Sequence, residues 1–314
     1  MFLTVTPDPV LDRIFFIEEW LPDLPMQADK TITSVGGKGL DASVALSHLG
    51  VDTHGLCFLA GETGVRLLER VKAYGIHPLP VWVSGETRSA QIIVERARER
   101  HSHVFSDGIS VNQVQLDQFL TLYQQHLSTA HWVLSGGVFP DSIPPDFFRI
   151  ISSFAHQAGV PVLIDSHSHF IQNALPANLE IIKMNRKEFE WTFDQPVTSL
   201  NELVQAGGVI YSRYRPEALV ITCGAEGLIA FTGQGVYQAR PPAIEVVNAA
   251  GAGDAVTAAL AWRRSSGDSW FETLRWAVAA SAAVVLTEGT ADLHRSDVNN
   301  LLPRITIERI GEVK

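Results

Sequence analysis

A carboxylate stands at the mouth of a glycine turn in this chain. The stretch Val247-Asn248-Ala249-Ala250-Gly251-Ala252-Gly253-Asp254-Ala255 runs directly into Val256-Thr257-Ala258-Ala259-Leu260-Ala261-Trp262. Two glycines flanking one alanine make the first half a turn, and the alanine-rich second half has good helix propensity. A glycine turn feeding a helix presents free backbone N–H groups at the positive end of the helix dipole, which suits an anion. A carboxylate in that first turn repels a bound phosphate, so a loop built only for binding seldom carries one. A base that deprotonates a hydroxyl beside a phosphoryl group belongs there, and Asp254 fits that role. The same residues also read as a tight turn with Asp254 as a favourable first-turn charge. Two nucleotide motifs are excluded. Val256 stands where the dinucleotide fingerprint needs its third glycine, and no Gly-Lys-Ser/Thr triplet occurs anywhere in the chain.

Three further groups carry potential chemistry. Gly36-Gly37-Lys38-Gly39 opens an amphipathic helix with Leu40, Val44, Leu46 and Leu49 among its apolar positions and Gly50 as its stop. Glycines at such a start let a polar ligand approach the backbone, although a structural turn explains them equally well. Asp12 follows Pro7-Asp8-Pro9 just past a short strand, where open parallel sheets place ligands, and is otherwise a turn acid. Asp165-Ser166-His167-Ser168-His169 follows a buried strand, and His-x-His at a strand end is either a zinc site or part of a cleft wall.

The elements that must position these groups alternate. Residues 2–6 read as a strand, 14–34 as irregular strands outside the main sheet, 54–59 as a strand and 62–74 as a helix. Residues 79–83, 87–95 and 103–105 then read as three strands without a helix between them, which implies an antiparallel excursion from a parallel sheet. The run Glu95 to Arg100 mixes signs and reads as a solvated hairpin end. Helices at 112–127, 145–158, near 170, 186–191 and 200–213 alternate with strands at 131–135, 160–165, 179–183 and 218–222. A hairpin over 227–232 and 235–239 precedes the Gly-Ala-Gly-Asp turn, and helices at 253–263 and 269–286 complete the set. The pattern demands an α/β fold with a parallel sheet covered by helices on both faces.

Composition narrows the function classes. The chain has 314 residues, 46% of them hydrophobic, which is enough for one large domain with a substantial core. Its net charge of −10 argues against nucleic acid and anionic membranes as partners. Cys57 and Cys223 form neither a metal-ligand spacing nor a disulfide framework, consistent with a reducing compartment. Met1 leads straight into Phe2-Leu3-Thr4-Val5-Thr6, without a basic and then apolar leader, and no apolar run reaches membrane-spanning length. These features predict a cytoplasmic protein.

The two glycine motifs, taken with their separation, resemble the two signature regions of the ribokinase-like (PfkB) carbohydrate kinases. Thr6-Pro7-Asp8-Pro9-Val10-Leu11-Asp12-Arg13 is similar to that family's N-terminal Asn-Pro-Ala-Leu-Asp-Arg segment. Gly85-Glu86-Thr87-Arg88, Ser135-Gly136-Gly137, Lys183 to Glu188 and Thr222 to Gly227 also find family counterparts. The resemblance spans about residues 3–290 and looks strongest to the 1-phosphofructokinase and tagatose-6-phosphate kinase branch. It implies a single domain over 1–314: a ribokinase-like three-layer α/β/α sandwich with a small β-strand lid from about 12–34 and 79–107. The implied activity is ATP-dependent phosphorylation of a hydroxyl on a sugar or sugar phosphate. A nucleoside or unphosphorylated-sugar kinase is the alternative on the same fold, and a non-catalytic ligand sensor is a third reading.

The resemblance also implies roles. Asp254 is the expected base, with the N–H groups of Gly251, Ala252 and Gly253 as the anion hole. Asn185 and Glu188 share one helix face and are expected to hold hydrated Mg²⁺, and they also read as an N-cap with a capping-box glutamate. Lys183 is expected to neutralise ATP phosphates, with Asn185, Thr222, Gly224 and Gly227 around the nucleotide. Asp12, Gly36, Gly37 and Lys38 are expected to line the sugar site, and Arg88 to reach a substrate phosphate from the lid. The lid is expected to form a homodimer contact. The chain departs from the family at Ala249-Ala250, Ala255, Met184 and Gly137. Pro25 and Gln27 lie where phosphosugar members often carry basic residues, with Lys30 as a substitute.

Overall fold

The computed structural model describes residues 1–98 and 100–312. Its centre is a ten-stranded sheet. From one edge the strands run His77–Trp82, Thr53–Leu59, Phe2–Thr6, Trp132–Gly136, Val162–Asp165, Ile181–Asn185 and Ala218–Thr222, all mutually parallel. Leu228–Thr232, Gly235–Arg240 and Thr306–Gly311 then continue the sheet antiparallel to the other edge.

Near-continuous apolar strands such as Ile181–Met184 and Ala218–Ile221 are buried on both faces, so each face needs its own helical cover. Helices Gln113–Leu127, Phe147–Gln157 and Leu200–Tyr214 contribute Phe119, Phe147, Ile151 and Leu203 to one core. Helices Lys38–His48, Ala252–Ser265, Trp270–Val284 and Arg295–Leu301 contribute Leu46, Leu260, Leu274 and Val298 to a second core on the opposite face. The small residues Ala258, Ala259, Ala279 and Ala283 are fully buried there, which allows Ala252–Ser265 and Trp270–Val284 to pack closely. The three-layer α/β/α expectation is met.

A separate four-stranded sheet forms the lid, in the order Lys30–Gly36, Val10–Ile17, Arg88–Glu95, Arg100–Phe105. Its inner face carries Val10, Ile14, Phe16, Ala90, Ile92 and Val94. Three expectations need correcting. The segment at 79–83 does not belong to an antiparallel excursion: His77–Trp82 pairs parallel with Thr53–Leu59 in the main sheet. Helix Gly61–Ala73 returns the chain across one face, so the next strand must enter parallel. Residues 14–34 are not irregular throughout either, because Val10–Ile17 and Lys30–Gly36 pair in antiparallel register. The helical set also does not end at 286: Arg295–Leu301 and the edge strand Thr306–Gly311 follow. The alternation of Ile305, Ile307 and the polar residues between them carries that strand's signal.

Candidate active site

The functional residues converge where the parallel strands end. Gly251 starts helix Ala252–Ser265 in a left-handed conformation, φ 79°, and a Cβ there would stand 2.2 Å from the backbone nitrogen of Ala291. No side chain caps this helix, so its first turn faces an open cavity. The Ala252 N–H turns back on the Ala249 carbonyl at 3.3 Å, so it is partly committed to the turn itself. At Gly253 a Cβ would approach Lys183 Nζ to 2.9 Å, which puts the ammonium directly against the turn.

Asp165, at the end of strand Val162–Asp165, is the hub of this region. Its Oδ2 accepts from Lys183 Nζ at 2.5 Å and from Thr257 Oγ1 at 3.0 Å, and its Oδ1 accepts from Lys38 Nζ at 2.7 Å. Burial alone would push its carboxyl up, but the ammoniums of Lys183 and Lys38 hold it below the usual carboxylate range. Lys38 Nζ also donates to Glu188 Oε1 at 2.7 Å. Asn185 and Glu188 close a reciprocal capping box: Asn185 Oδ1 accepts from the Glu188 N–H at 2.9 Å, and Glu188 Oε2 accepts from the Asn185 N–H at 2.8 Å.

Asp254 faces this cluster. Desolvation, offset by Lys183 and Lys38 and reinforced by Asp165 and Glu188, raises its pKa to about 7. A carboxylate with that pKa is poised to take a proton near neutral pH. The cavity beyond it, of about 780 Å³, is polar at the end formed by Lys38, Lys183, Asn185, Glu188 and Asp254. Its other end is apolar, with Pro242, Ile244, Val278, Ala282 and Val285. Thr222, Gly224 and Gly227 line it from the turn that follows strand Ala218–Thr222. A polyanion with a flat apolar end matches this division.

Asp12, Gly36 and Gly37 lie on the lid side. A Cβ at Gly36 would fall 2.5 Å from Asp12 Oδ1, so the glycine makes room for the carboxylate. Asp12 is 6% exposed, accepts from Thr290 Oγ1 at 2.9 Å, and has its pKa raised by burial to about 7. Arg88 lies elsewhere, in a cavity of about 530 Å³ shared with Asp8. Its Nε stands 2.9 Å from Asp8 Oδ2.

The pfkB family carbohydrate kinase pattern matches residues 9–296. The chain belongs to that family. It is therefore an ATP-dependent carbohydrate kinase. The kinase is 26% identical over 312 residues to a 1-phosphofructokinase of Bacillus subtilis, covering 99% of this chain and 100% of that protein. A structure described as a possible 1-phosphofructokinase from Thermotoga maritima superimposes with a TM-score of 0.90 at 23% identity, covering 99% of both chains. Arabidopsis thaliana ribokinase superimposes with a TM-score of 0.75 at 22% identity, over 96% of this chain and 98% of that one, which establishes the ribokinase-like fold.

Several residues of the kinase escape sequence reading. Asp165 was legible only as part of a zinc or cleft-wall cluster, yet no group of three or more metal-ligating side chains occurs among the described residues. His167 instead meets the Phe170 and Trp191 rings edge-on, at 5.9 Å in each case. The strand-end position of Asp165 was the available signal. Thr257 lies three residues after Asp254 and so on the same helix face. Asp41, three residues after Lys38 in a helix otherwise rich in small apolar residues, is 5% exposed. Burial, then the charges of Asp254 and Asp12, push its carboxyl well above the usual range. Thr290 gave no local signal.

Proposed function

We propose that the kinase transfers the γ-phosphoryl group of ATP to a hydroxyl of a sugar or sugar phosphate, with Asp254 as general base. The observation that carries this reading is a carboxylate with a pKa near 7 in the first turn of an uncapped helix, against a buried lysine. Asp254 takes the proton of the acceptor hydroxyl as that oxygen forms its bond to the γ-phosphorus. The bond from phosphorus to the bridging oxygen breaks, and ADP leaves with the electron pair. Lys183 and the N–H groups of the Gly251–Gly253 turn stabilise the negative charge of the transferring group. Asp165 positions both Lys183 and Lys38 by accepting from each. Asp12, Gly36, Gly37 and Lys38 border the acceptor. Thr222, Gly224 and Gly227 wall the nucleotide.

The donor set fits Mg²⁺. Asn185 and Glu188 supply hard oxygen atoms at the phosphate end, and each Glu188 oxygen takes one hydrogen bond while keeping lone-pair capacity. We assign these two residues to hold the hydrated ion, which neutralises phosphate charge when bound. The exposed apolar lid residues Leu24 and Val104, 62% and 57% exposed, support a homodimer through the lid. Dependence on ATP supports a cytoplasmic location.

Substitution of the base tests the reading. Asp254→Asn should retain ATP binding and lose about 10²–10⁴-fold in turnover, read as ADP release over a panel of free and phosphorylated sugars. In the parent enzyme the rate should rise with pH and level off above about 7, because only the ionised carboxylate accepts a proton. Near-normal turnover by Asp254→Asn would remove the assignment.

A further inference from the structure

The charge state of the acceptor is written in the lid-side cavity, and the argument rests on the kinase reading above. Arg88 opens strand Arg88–Glu95 opposite Val10, where the lid joins the body. Its guanidinium is engaged on several sides. Nε lies 2.9 Å from Asp8 Oδ2 as an ion pair without hydrogen-bond geometry, Nη2 donates to the Asp8 carbonyl at 3.3 Å, and the guanidinium carbon lies 5.4 Å from the Phe105 ring centroid. Asp8 is 9% exposed, and its other oxygen, Oδ1, is buried without a hydrogen-bond partner. Asp8 lines the cavity, and this oxygen is a buried acceptor without a donor.

The same cavity holds a second acid, Asp141, beside Ser106 and Ser142. Acids therefore outnumber the one arginine along its lining. Neither Lys38, paired with Asp165 and Glu188, nor Lys30, paired with Glu288, lines it. The cavity adjoins the proposed acceptor site along one strand: Arg88 pairs with Val10, two residues before Asp12.

We propose that Asp8 is a specificity-determining residue that ties up Arg88, closes this cavity to a phosphate and reserves it for the hydroxyl-bearing end of an unphosphorylated carbohydrate. A phosphate arriving there must displace a buried carboxylate from its arginine or sit beside Asp8 and Asp141 as a like charge. A hydroxyl instead donates to Asp8 Oδ1 and leaves the ion pair whole. The fold is shared with relatives named 1-phosphofructokinase, so a difference in substrate class has to come from side chains such as Asp8. Asp8 stands where the family segment carries an asparagine, which has no charge with which to hold Arg88.

Asp8→Asn and Asp8→Ser test this. Calorimetric titration with fructose 6-phosphate and with inorganic phosphate reads the site without turnover. ADP release with fructose and with fructose 6-phosphate reads it during turnover. The parent enzyme should favour the unphosphorylated sugar in kcat/KM. Either variant should move the ratio toward the phosphosugar by on the order of 10–100-fold and bind phosphate more tightly. Adding Arg88→Ala to Asp8→Asn should cancel that gain, which a merely structural role for Asp8 would not produce. A parent enzyme that favours fructose 6-phosphate overturns the proposal, as does a ratio and phosphate affinity unmoved in both Asp8 variants. Failure of the kinase reading is distinct: no sugar then releases ADP, while the phosphate titrations still decide the role of Asp8.

Discussion

Two buried carboxylates, Asp165 and Asp8, each bind a cation at the edge of a cavity, with opposite consequences. Asp165 is shared by Lys38 and Lys183, so each ammonium keeps donors to spare and both point into the larger cavity. Asp8 takes one arginine to itself and keeps an unpaired oxygen. The first arrangement gathers positive charge at the proposed triphosphate site, and the second withdraws it from where a phosphosugar would need it. The same ion-pair chemistry can therefore create an anion site or abolish one. The ratio of cations to carboxylates and the direction of the unused donors or acceptors decide which.

The sharpest way to break this comparison is to remove one cation from the shared side. Lys183→Met leaves Asp165 with Lys38 and Thr257, so the carboxylate stays partnered and the fold should hold. Its turnover should fall by about 10²–10³-fold, the effect of losing one preorganised donor to the transferring group. Arg88→Met should cost turnover of an unphosphorylated sugar far less. Equal losses in the two variants, measured side by side by ADP release, would erase the distinction between the cavities.

A smaller effect is expected at Glu188, which joins the shared side to the proposed Mg²⁺ site. Glu188→Gln keeps a carbonyl oxygen for the Asn185 N–H, so the capping box should survive. Loss of the charge should raise the Mg²⁺ concentration for half-maximal rate by about 10-fold and leave the sugar KM nearly unchanged. An unaltered Mg²⁺ titration would leave Glu188 as a helix cap and a partner for Lys38 only.

What the sequence disclosed follows from how local each feature is. The Gly251–Asp254 turn and the Asn185–Glu188 pair are contiguous, so their residue types alone carry both geometry and chemistry. Strand and helix alternation placed most of the layers for the same reason. Asp8 and Arg88 are separated by 80 positions, and Asp12 and Thr290 by 278. Such pairs depend on how the lid strands dock, and no periodicity records that. Arg88 was read as a phosphate contact from the lid; it does open a lid strand, and its ion pair with Asp8 depends on a residue 80 positions away. The strand His77–Trp82 was misassigned because a sheet edge and a lid strand share the same alternation until the preceding crossover helix is taken into account.

The smallest expected effect concerns Asp41, which lies close enough to both Asp254 and Asp12 to feel their charges. Its side chain is buried, one carboxyl oxygen lacks a hydrogen-bond partner, and no cation offsets its charge in the way Lys38 and Lys183 offset that of Asp165. Burial first, then Asp254 and Asp12, hold its carboxyl well above the model-peptide value of 3.8. The folded state thus binds this proton more tightly than the unfolded chain does. Its stabilising effect is complete below the unfolded value and is lost as pH rises toward the folded one. Asp12 and Asp254, each raised to about 7, act with the same sign. Asp41→Asn removes one member of the group while conserving its shape. The variant without ligands should melt roughly 2–4 °C above the parent at pH 8, corresponding to about 1 kcal/mol. The gap should shrink as the pH is lowered toward the unfolded value, because the unfolded parent chain then gains less by ionising. Parallel melting curves for the two proteins across that range would show that Asp41 carries no such charge penalty, and that repulsion among the acceptor-side acids is relieved in another way.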